Sequence, residues 1–560
     1  MLLILFTWIL LLLFFIPSGI AFKSIFKIEI DGVFIPVFLG LFIQCFLLTC
    51  CCFFFKIGFT VFLINFMNQI GLCLWKTKEI KDCIYKTLTD LKSLSVISKF
   101  ILLTILIFSL FKCAQFPFII DNESYYLQTI KWVNEYGFVK GLGNLHIFLA
   151  QNSPFHVLQA GFNFNFLTDR INDLNGFILV LSSGFFITEF EKKYLQSFEI
   201  HWIGLVVVFN ILFFQFVNAP SPDLLVVLLS QVIFYIYLEK KNTFSNFKIL
   251  TIFFLFLFLI KITIAPIGLL LLFILVKDRK RIFFFVIFSS VIVFVLLLKN
   301  AIITGYPLFP FNFFGLDVDW RVPESLLNFI VNATKNAGYF KSHFIENPSL
   351  FVKLSSWLNL GGINRVFNYG LLLLFITALF TKEFRFTIKH KILYFVLLIH
   401  FVLLLLSSPQ FRFFLPEFVF LFVLLTHSLF NYFKINIKII RFLLLISILL
   451  PLILIEFVDY KNFTQNKLHQ MQEHYKWSQI LIPEKNSKFP DVKFEKIKDG
   501  NLEYNSPKEN FFFYGTGSGD LPCVNKVQID YFKKHYFILP QQRTSDLKDG
   551  FYSKNLLINE

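Results

Sequence analysis

Charged residues are scarce in this chain of 560 residues, of which Asp, Glu, Lys and Arg together make up 16%. Hydrophobic residues make up 56%, phenylalanine alone occupies 82 positions, and the mean hydropathy is +0.68. A soluble chain of this length would divide into several domains with charged surfaces. The scarcity of charge therefore excludes a soluble enzyme, a disordered protein and a nucleic-acid-binding protein, and it predicts a polytopic membrane protein.

Cysteine is also sparse, with eight residues, most of them in or beside apolar runs. Cys50, Cys51 and Cys52 stand inside a hydrophobic segment without neighbouring His or acidic residues, so we interpret them as small buried thiols rather than as a metal site. Only Cys523 lies in the C-terminal region, which excludes a disulfide within that region. The sequence also lacks an internal repeat and a low-complexity linker.

Apolar runs alternate with short polar loops over the first four fifths of the chain. A run of about 20 apolar residues is long enough for a helix to cross a bilayer. The pattern predicts apolar segments at residues 1–20, 32–54, 57–75, 98–118, 176–190, 203–217, 224–238, 249–276, 282–298, 366–381, 391–407, 416–432 and 438–457.

Lys and Arg in the loops orient these segments. The net charge of +16 would suggest an acidic partner in a soluble protein, but in a membrane protein it indicates basic cytoplasmic loops. The basic loops are residues 76–99, 239–248, 277–281, 382–391 and 434–441.

One apolar segment, 249–276, is flanked on both sides by basic loops. A single helix of about 28 residues would be about 42 Å long and would end on the opposite side of the membrane. The stretch from Lys261 to Pro266 interrupts the segment, so we expect two short halves that enter and return, with Lys261 at the break. Unwound backbone at this depth requires cover by protein or water. The number of segments is then about 14.

These predictions give an all-α polytopic membrane domain at residues 1–457 and an extracytoplasmic C-terminal domain at 458–560. Both ends of the membrane domain lie outside, together with two long loops at about 119–175 and 299–365.

The sequence also predicts two details of the chain ends. The C-terminal domain is expected to be a small α+β unit, with Phe511–Tyr514 and Val527–Ile538 as candidate strands. The first segment is interpreted as a retained helix. A cleaved signal peptide is the alternative, because Ser18–Ala21 resembles a cleavage region although no basic stretch precedes it.

The first outer loop opens with two acids, Asp121 and Glu123, directly after a membrane segment. The stretch from Ser124 to Tyr136 has the apolar spacing of an amphipathic helix lying in the membrane interface. Asp121 could simply cap this helix, with Glu123 as a first-turn acid. The chemical alternative is a general base for a hydroxyl acceptor, or a pair of oxygen ligands for Mg²⁺ or Mn²⁺.

The same loop continues with a glycine-rich turn from Gly141 to His146. Backbone amides, the Asn144 side chain and the His146 imidazole could contact a phosphate or a sugar. A turn between two interface helices is the alternative. Without a second His at ligand spacing, His146 is expected to form hydrogen bonds rather than to bind a metal.

Further polar residues are predicted to lie on the same outer side. Asp223 begins a helix after a proline-rich turn, where it could contact the substrate, and capping is the simpler role. Trp320 and Arg321 in the second long loop could contact a sugar face and a phosphate, or could hold the loop at the interface. Arg412 stands among aromatic residues in a short outer turn, where its fork could bind a phosphate.

These candidates share one side of the membrane although they come from separate parts of the chain. Ionisable residues at the mouth of a membrane domain are functional candidates. Acids beside Lys and Arg suit an anionic lipid-linked donor, because the cations hold its phosphate while an acid activates the acceptor.

Several stretches resemble known proteins. An acidic motif after a membrane helix, interface helices in the first outer loop and a broken Lys-x-x-x-x-Pro pair resemble the GT-C glycosyltransferase superfamily. More narrowly, the chain resembles bacterial multi-pass proteins of the LIC_10190 type over about residues 30–540. The stretches that carry the narrower resemblance are Asp121–Tyr126, Lys131-Trp132, Glu135–Gly137, Gly141–His146, Ser221–Asp223, Gly305–Pro310, Asp319–Pro323 and Pro409–Phe413.

The resemblance implies a function at the periplasmic face of a bacterial inner membrane. GT-C enzymes move sugars from polyprenyl-phosphate-linked donors to glycan or lipid acceptors, usually with inversion. By position, the catalytic acid corresponds to Asp121, with Glu123 second, and the donor phosphate to Lys261 and Arg412. Three apolar segments precede the acidic loop where the family usually has one helix. The Asp-x-Glu spacing fits a divalent cation without establishing one.

Other functions fit the same features. A flippase for a lipid-linked oligosaccharide is supported by the broken segment at Lys261, although transporters usually place their charges near the midplane of paired repeats. A polysaccharide polymerase or ligase shares the side and the substrate class. A non-catalytic assembly subunit is a further alternative.

Overall fold

A computed structural model describes residues 1–117, 119–275, 278–340, 348–457, 475–489, 492–508 and 511–557. The described chain is mostly helical. Eight helices are long and apolar enough to cross a membrane, and a ninth candidate is a pair of helices bent by 110°. Four shorter apolar helices occupy other predicted segments, at Phe59–Trp75, Trp202–Phe213, Phe244–Ile260 and Ile262–Leu275.

The helices follow one another with short connections. The α-helices are Leu2–Ile25 (α1), Phe34–Cys51 (α2), Phe59–Trp75 (α3), Thr77–Ser93 (α4), Val96–Cys113 (α5), Leu127–Glu135 (α6), Leu142–Leu145 (α7), Pro154–Gly161 (α8), Leu174–Ser197 (α9), Trp202–Leu205 (α10), Asn210–Phe213 (α11), Pro222–Glu239 (α12), Phe244–Ile260 (α13), Leu269–Leu275 (α14), Arg279–Thr304 (α15), Glu324–Tyr339 (α16), Leu350–Leu358 (α17), Ile363–Ala378 (α18), Lys382–Phe386 (α19), Ile388–Ser407 (α20), Leu415–Tyr432 (α21), Ile437–Phe457 (α22) and Lys526–Tyr536 (α23). A π-helical turn forms at Asn122–Tyr126, and 3₁₀ turns form at Ile147–Gln151, Val206–Phe209, Ile262–Gly268, Phe411–Phe414, Trp477–Ile480 and Leu547–Asp549.

Helices α1 and α2 make a close antiparallel pair. A Cβ atom on Gly19 would lie 1.7 Å from the carbonyl oxygen of Pro36, and one on Gly40 would lie 2.0 Å from that of Phe15. Only glycine allows the two backbones to approach this closely, as is common between membrane helices.

The basic loops contact one another at one end of the helix bundle, which we call the basic end. The contacts there are Lys248 with the Phe26 carbonyl, Lys389 with the Lys240 carbonyl, Arg281 with Asn242, Lys192 with Asp90, and Arg441 with Glu191. Because these loops lie far apart in sequence, the bundle itself brings them together. The predicted grouping of the basic loops on one side is consistent with this arrangement.

The break at Lys261 has the predicted form. Helix α13 ends at Ile260, Lys261 has an extended backbone, and a 3₁₀ turn containing Pro266 leads into α14. Asn242, just before α13, accepts a hydrogen bond of 2.6 Å from Arg281, near the start of α15. The chain therefore returns to the basic end after the break, as the charge pattern predicted.

The predicted strands of the C-terminal region are wrong. Residues Lys526–Tyr536 form helix α23, because their apolar side chains recur at helical spacing, and Phe511–Tyr514 form no strand. Two antiparallel pairs occur instead, Phe494–Asp499 (β1) with Leu502–Pro507 (β2) and Ile538–Gln542 (β3) with Phe551–Asn555 (β4). We call the described residues from 475 to 557 the tail.

Candidate functional site

Four ionisable residues from four separate segments meet at the end of the bundle opposite the basic end. Arg412 Nη1 lies 2.6 Å from Asp121 Oδ2 and 3.6 Å from Asp223 Oδ2. Lys261 forms an ion pair with the other oxygen of Asp223. The contacts run from Asp121 through Arg412 and Asp223 to Lys261, so acids and bases alternate. We call these four residues the ion cluster.

The local sequence explains each position. Pro222 begins α12 and the Ser221 side chain accepts a hydrogen bond from the Asp223 amide, which fixes Asp223 in the first turn. Lys261 stands at the end of α13, where the helix breaks before Pro266. Arg412 lies in the 3₁₀ turn that joins α20 to α21. Each residue therefore projects from a helix end rather than from a helix middle.

The ion cluster balances its own formal charge, with two acids and two bases. Asp223 is nearly buried, with 4% of its side chain exposed, whereas Arg412 and Asp121 keep 25% and 20%. The cluster is therefore partly open on the side of Asp121 and Arg412. A phosphate bound to Arg412 there would compete with Asp121 and Asp223 for the guanidinium charge, because both carboxylates contact Nη1.

Aromatic side chains surround the ion cluster. The Lys261 ammonium lies 3.6 Å from the centre of the Phe413 ring, and the Arg412 guanidinium lies 5.3 Å from the same ring. The Tyr126 hydroxyl donates a long hydrogen bond of 3.5 Å to Asp121 Oδ2. Rings of this kind stabilise cations and offer faces on which a sugar or a lipid group can pack.

Helix α20 and helix α21 supply a second, fully buried pair that the sequence reasoning missed. His400 Nδ1 contacts Glu417 Oε1, and the side chains are 1% and 0% exposed. His400 Nε2 also lies 2.9 Å from the carbonyl oxygen of Thr263 and donates to it, two residues beyond Lys261. This pair therefore supports the broken segment that carries Lys261. Both residues interrupt apolar runs, which is the signal that could have identified them.

Lys299 is a further buried cation near the break. Its ammonium donates to the Asn152 carbonyl, and within the described part of the chain no carboxylate pairs with it. The adjacent Ser153 hydroxyl donates a hydrogen bond of 2.9 Å to the Ile260 carbonyl, beside Lys261. His156, also buried, packs its ring 4.8 Å from that of Tyr126. The first loop thus places additional polar groups next to the residues that contact or adjoin the ion cluster.

A protein-family profile described as "Domain of unknown function (DUF8201)" matches residues 1–422. The chain belongs to this family. The matched region contains all four residues of the ion cluster and ends before the tail. No curated protein and no solved structure matches the chain.

Glu123 of this DUF8201 chain does not join the ion cluster. Its carboxylate accepts hydrogen bonds from the Ser487 hydroxyl at 2.7 Å, the Lys488 amide at 2.9 Å and the Asn122 side chain at 3.0 Å. Burial raises the pKa of this carboxyl, and the three hydrogen bonds oppose that rise. Glu123 therefore attaches the tail to the first loop rather than facing Asp121.

The arrangement does not fit the predicted divalent cation. Asp121 pairs with Arg412, Glu123 bonds to the tail, and the described residues contain no group of three or more His, Cys, Asp or Glu side chains that could hold a metal. A cation bound between Asp121 and Asp223 would have to compete with Arg412, which already contacts both.

His146 likewise contacts the tail. Its Nε2–H donates to the Tyr514 carbonyl at 3.3 Å and its Nδ1 accepts from the Phe148 amide at 3.2 Å. Both ring nitrogens are therefore used within the protein. Burial lowers the pKa of the imidazole to about 4, so the ring is neutral at pH 7.

The glycine-rich turn, which was expected to contact a phosphate or a sugar, packs against strand β4. Gly141 has φ +62°, and a Cβ atom there would lie 2.1 Å from the Phe551 carbonyl oxygen. Asn144 donates to the Trp320 carbonyl at 2.8 Å and accepts from the Ser553 hydroxyl at 2.7 Å. This turn therefore joins the first loop, the second loop and the tail.

Trp320 and Arg321 also lie away from the ion cluster. The Trp320 ring stands 5.2 Å from the guanidinium of Arg543 in the tail, and its Nε1–H donates to the Ala301 carbonyl at 3.2 Å. Arg321 is exposed and donates to the Leu316 carbonyl at 3.2 Å. Trp320 therefore joins the second loop to the tail, whereas Arg321 bonds within the second loop.

Proposed function

We propose that the chain is a membrane glycosyltransferase that moves a sugar from a polyprenyl-phosphate-linked donor to a surface glycan or lipid acceptor. The observation that carries the proposal is the ion cluster, in which Asp121 and Arg412 meet at 2.6 Å in a partly open position. Arg412 and Lys261 are a pair of cations suited to a lipid-linked phosphate, and Asp121 is an acid suited to an acceptor hydroxyl.

The proposed reaction begins with an exchange of ion pairs. The donor phosphate binds Arg412 and Lys261 and replaces the carboxylates that neutralise them in the free protein. Asp121, released from Arg412, then faces the acceptor. A neutral cluster can bind an anion in this order because the phosphate takes over ion pairs of Arg412 and Lys261.

The chemical step needs no group beyond these residues and the two substrates. The acceptor oxygen forms a bond to the anomeric carbon while the bond from that carbon to the phosphate oxygen breaks. The electron pair of the broken bond leaves with the lipid phosphate, whose charge Arg412 and Lys261 hold. The acceptor proton passes to Asp121. Asp121 and Glu123, with their partners Arg412 and Ser487, do not fit a divalent cation, so no step runs through one.

We propose the orientation that the charges indicate, with 13–14 membrane segments, the basic end in the cytoplasm, and the ion cluster and tail outside. The described helices support this orientation because the basic loops share one end and the cluster lies at the other. A reporter enzyme that is active only outside the cytoplasm, fused after the last residue, should be active. A reporter active only inside should be active when inserted between Lys240 and Lys241.

The broken segment favours a second function, transport of a lipid-linked sugar without chemistry. Lys261 and Asp223 pair at a helix break, and transporters often bind their substrates at such breaks. Vesicles containing the purified protein and a labelled polyprenyl-phosphate sugar on one side separate the two functions. A transferase yields labelled acceptor, whereas a flippase yields labelled lipid on the other side.

The catalytic assignment is tested in cells by Asp121→Asn. We expect surface glycan to fall to the level of a deletion strain while the protein accumulates normally. Unchanged surface glycan at normal protein levels would remove Asp121 from the mechanism.

A further inference from the structure

A cavity lies at the basic end of the bundle, far from the ion cluster. Its volume is about 170 Å³. It is bounded by the end of α12, the start of α13, α14 and the start of α20. Its lining residues are Ile236, Tyr237, Lys240, Lys241, Asn242, Asn246, Phe247, Leu250, Phe273, Ile274, Lys389 and Ile392.

The polar part of this cavity is cationic. Three of the lining residues are lysines, Lys240, Lys241 and Lys389, and none of them is acidic. Lys389 donates to the Leu238 and Lys240 carbonyls, both at 3.1 Å, which places its ammonium at the lip. Lys240 lies 3.4 Å from Glu189, outside the lining, and Lys241 is exposed. Glu239, also outside the lining, acts on Lys389, but Glu189 and Glu239 also pair with Lys192 and Lys193, so the lining keeps an excess of positive charge.

The rest of the cavity is apolar and opens toward the flank of the bundle. Phe273 on α14 is 51% exposed although it lines the cavity. Phe247, Ile274 and Ile392 continue this wall. On a membrane protein, an exposed Phe on an apolar helix faces lipid chains. The cavity thus joins a cationic lip to a surface suited to hydrocarbon.

We propose that this cavity binds the headgroup of an anionic phospholipid from the leaflet around the basic end. The phosphate would contact Lys240 and Lys241, and an acyl chain would lie along Phe273. Basic pockets between membrane helices are suited to such headgroups. The volume of about 170 Å³ is many times the roughly 10–15 Å³ that one water molecule needs on the same measure, so it admits a phosphate with a small alcohol. A soluble phosphate ester offers the same charged group but cannot use the apolar wall.

The test measures phosphatidylglycerol binding to the full-length protein in a neutral detergent, with phosphatidylcholine as the uncharged comparison. The variant is Lys240→Gln with Lys241→Gln. Each lysine near the headgroup is worth about a fivefold change in affinity, so the double variant should bind phosphatidylglycerol about 30-fold more weakly. Phosphatidylcholine binding should not change.

The matched control is Lys382→Gln with Lys438→Gln, which removes the same charge from the same end but outside the cavity. It should retain the affinity of the unaltered protein. An equal loss in the control would show that general charge attracts the lipid and would overturn the proposal. Equal affinity of the cavity variant and the unaltered protein would do the same.

Two further measurements complete the test. Glycerol phosphate should fail to compete with phosphatidylglycerol at concentrations at which the lipid saturates. Competition at equal concentration would assign the cavity to a soluble ester and overturn the lipid. A thermal unfolding midpoint equal to that of the unaltered protein shows that the variant is folded. If the midpoint falls, Lys241→Gln alone should still weaken lipid binding about fivefold, and full affinity in that variant would reject the proposal.

Discussion

Asp121→Asn should have opposite effects on donor binding and on sugar transfer. In the free protein Asp121 neutralises Arg412 at 2.6 Å and therefore competes with the donor phosphate. Asparagine removes this competitor, while Arg412 keeps its second contact, with Asp223 at 3.6 Å. We therefore expect tighter binding of a polyprenyl phosphate together with loss of transfer.

The size of each effect follows from the geometry. A charge-assisted hydrogen bond contributes about 1.5–3 kcal/mol, and we take about 1–2 kcal/mol here because both side chains are partly exposed. The Kd for polyprenyl phosphate should then fall about 5- to 30-fold, since about 1.4 kcal/mol corresponds to a factor of ten. Loss of a general base should lower the transfer rate by about 10²- to 10⁴-fold.

The assay combines equilibrium binding of a short-chain polyprenyl phosphate with transfer of a labelled sugar by the same purified protein. The matched control is Asp319→Asn, because Asp319 also pairs with an arginine, Arg543, at 2.7 Å, but on the exposed tail side. That variant should change the Kd by less than about twofold. A Kd that rises in Asp121→Asn would refute the competition, because Asp121 would then help to hold the donor.

Three further perturbations probe the tail and the buried pair. Gly141→Ala should release the tail, because the new Cβ atom would lie 2.1 Å from the Phe551 carbonyl oxygen, and protease cleavage within residues 511–557 reports the release. Acidification from pH 6.5 toward 4 should loosen the contact of His146 with the tail, because the buried ring has its pKa lowered to about 4 and a released ring protonates more readily. The stability of this contact is retained above pH 6.5. In His146→Gln, hydrogen exchange in the tail should lose this pH dependence. His400→Leu should destabilise the protein by about 3–5 kcal/mol because it leaves the buried Glu417 unpaired, and adding Glu417→Leu should recover much of that loss in thermal unfolding. An equal cost in the double variant would contradict the unpaired Glu417 carboxylate as the source of the loss.

The mostly helical fold, its long apolar helices and the break at Lys261 could all be predicted from the sequence. These follow from local properties: apolar length, the charge of loops, and a proline that ends a helix. The strand expected at Val527–Ile538 is wrong because the local pattern there does not separate a strand from a helix. That short segment has apolar residues compatible with either periodicity, and its polar positions suit a helix.

The candidate site divided into two groups that the sequence could not separate. Asp121, Asp223, Lys261 and Arg412 converge, whereas Glu123, Asn144, His146 and Trp320 contact the tail or the second loop, and Arg321 stays exposed. The loop charges predict a common side of the membrane for these residues. They do not predict a contact between residues 364 positions apart, such as Glu123 with Ser487. Which loop residues contact the tail depends on how the whole chain folds, so local sequence patterns do not predict it.

The two acids of the first loop therefore differ in role although one residue separates them. Asp121 precedes the π-helical turn and faces Arg412, while Glu123 lies within the turn and binds the tail through its side chain. The Glu123 carbonyl also accepts hydrogen bonds from the amides of Thr516 at 2.9 Å and Gly517 at 2.8 Å. The tail binds both the carboxylate and the backbone carbonyl of Glu123. The turn that presents Asp121 therefore cannot shift without breaking buried hydrogen bonds. The tail thus supports the turn that presents Asp121, so in the proposed function one acid of the short motif reacts while the other, Glu123, holds the turn in place.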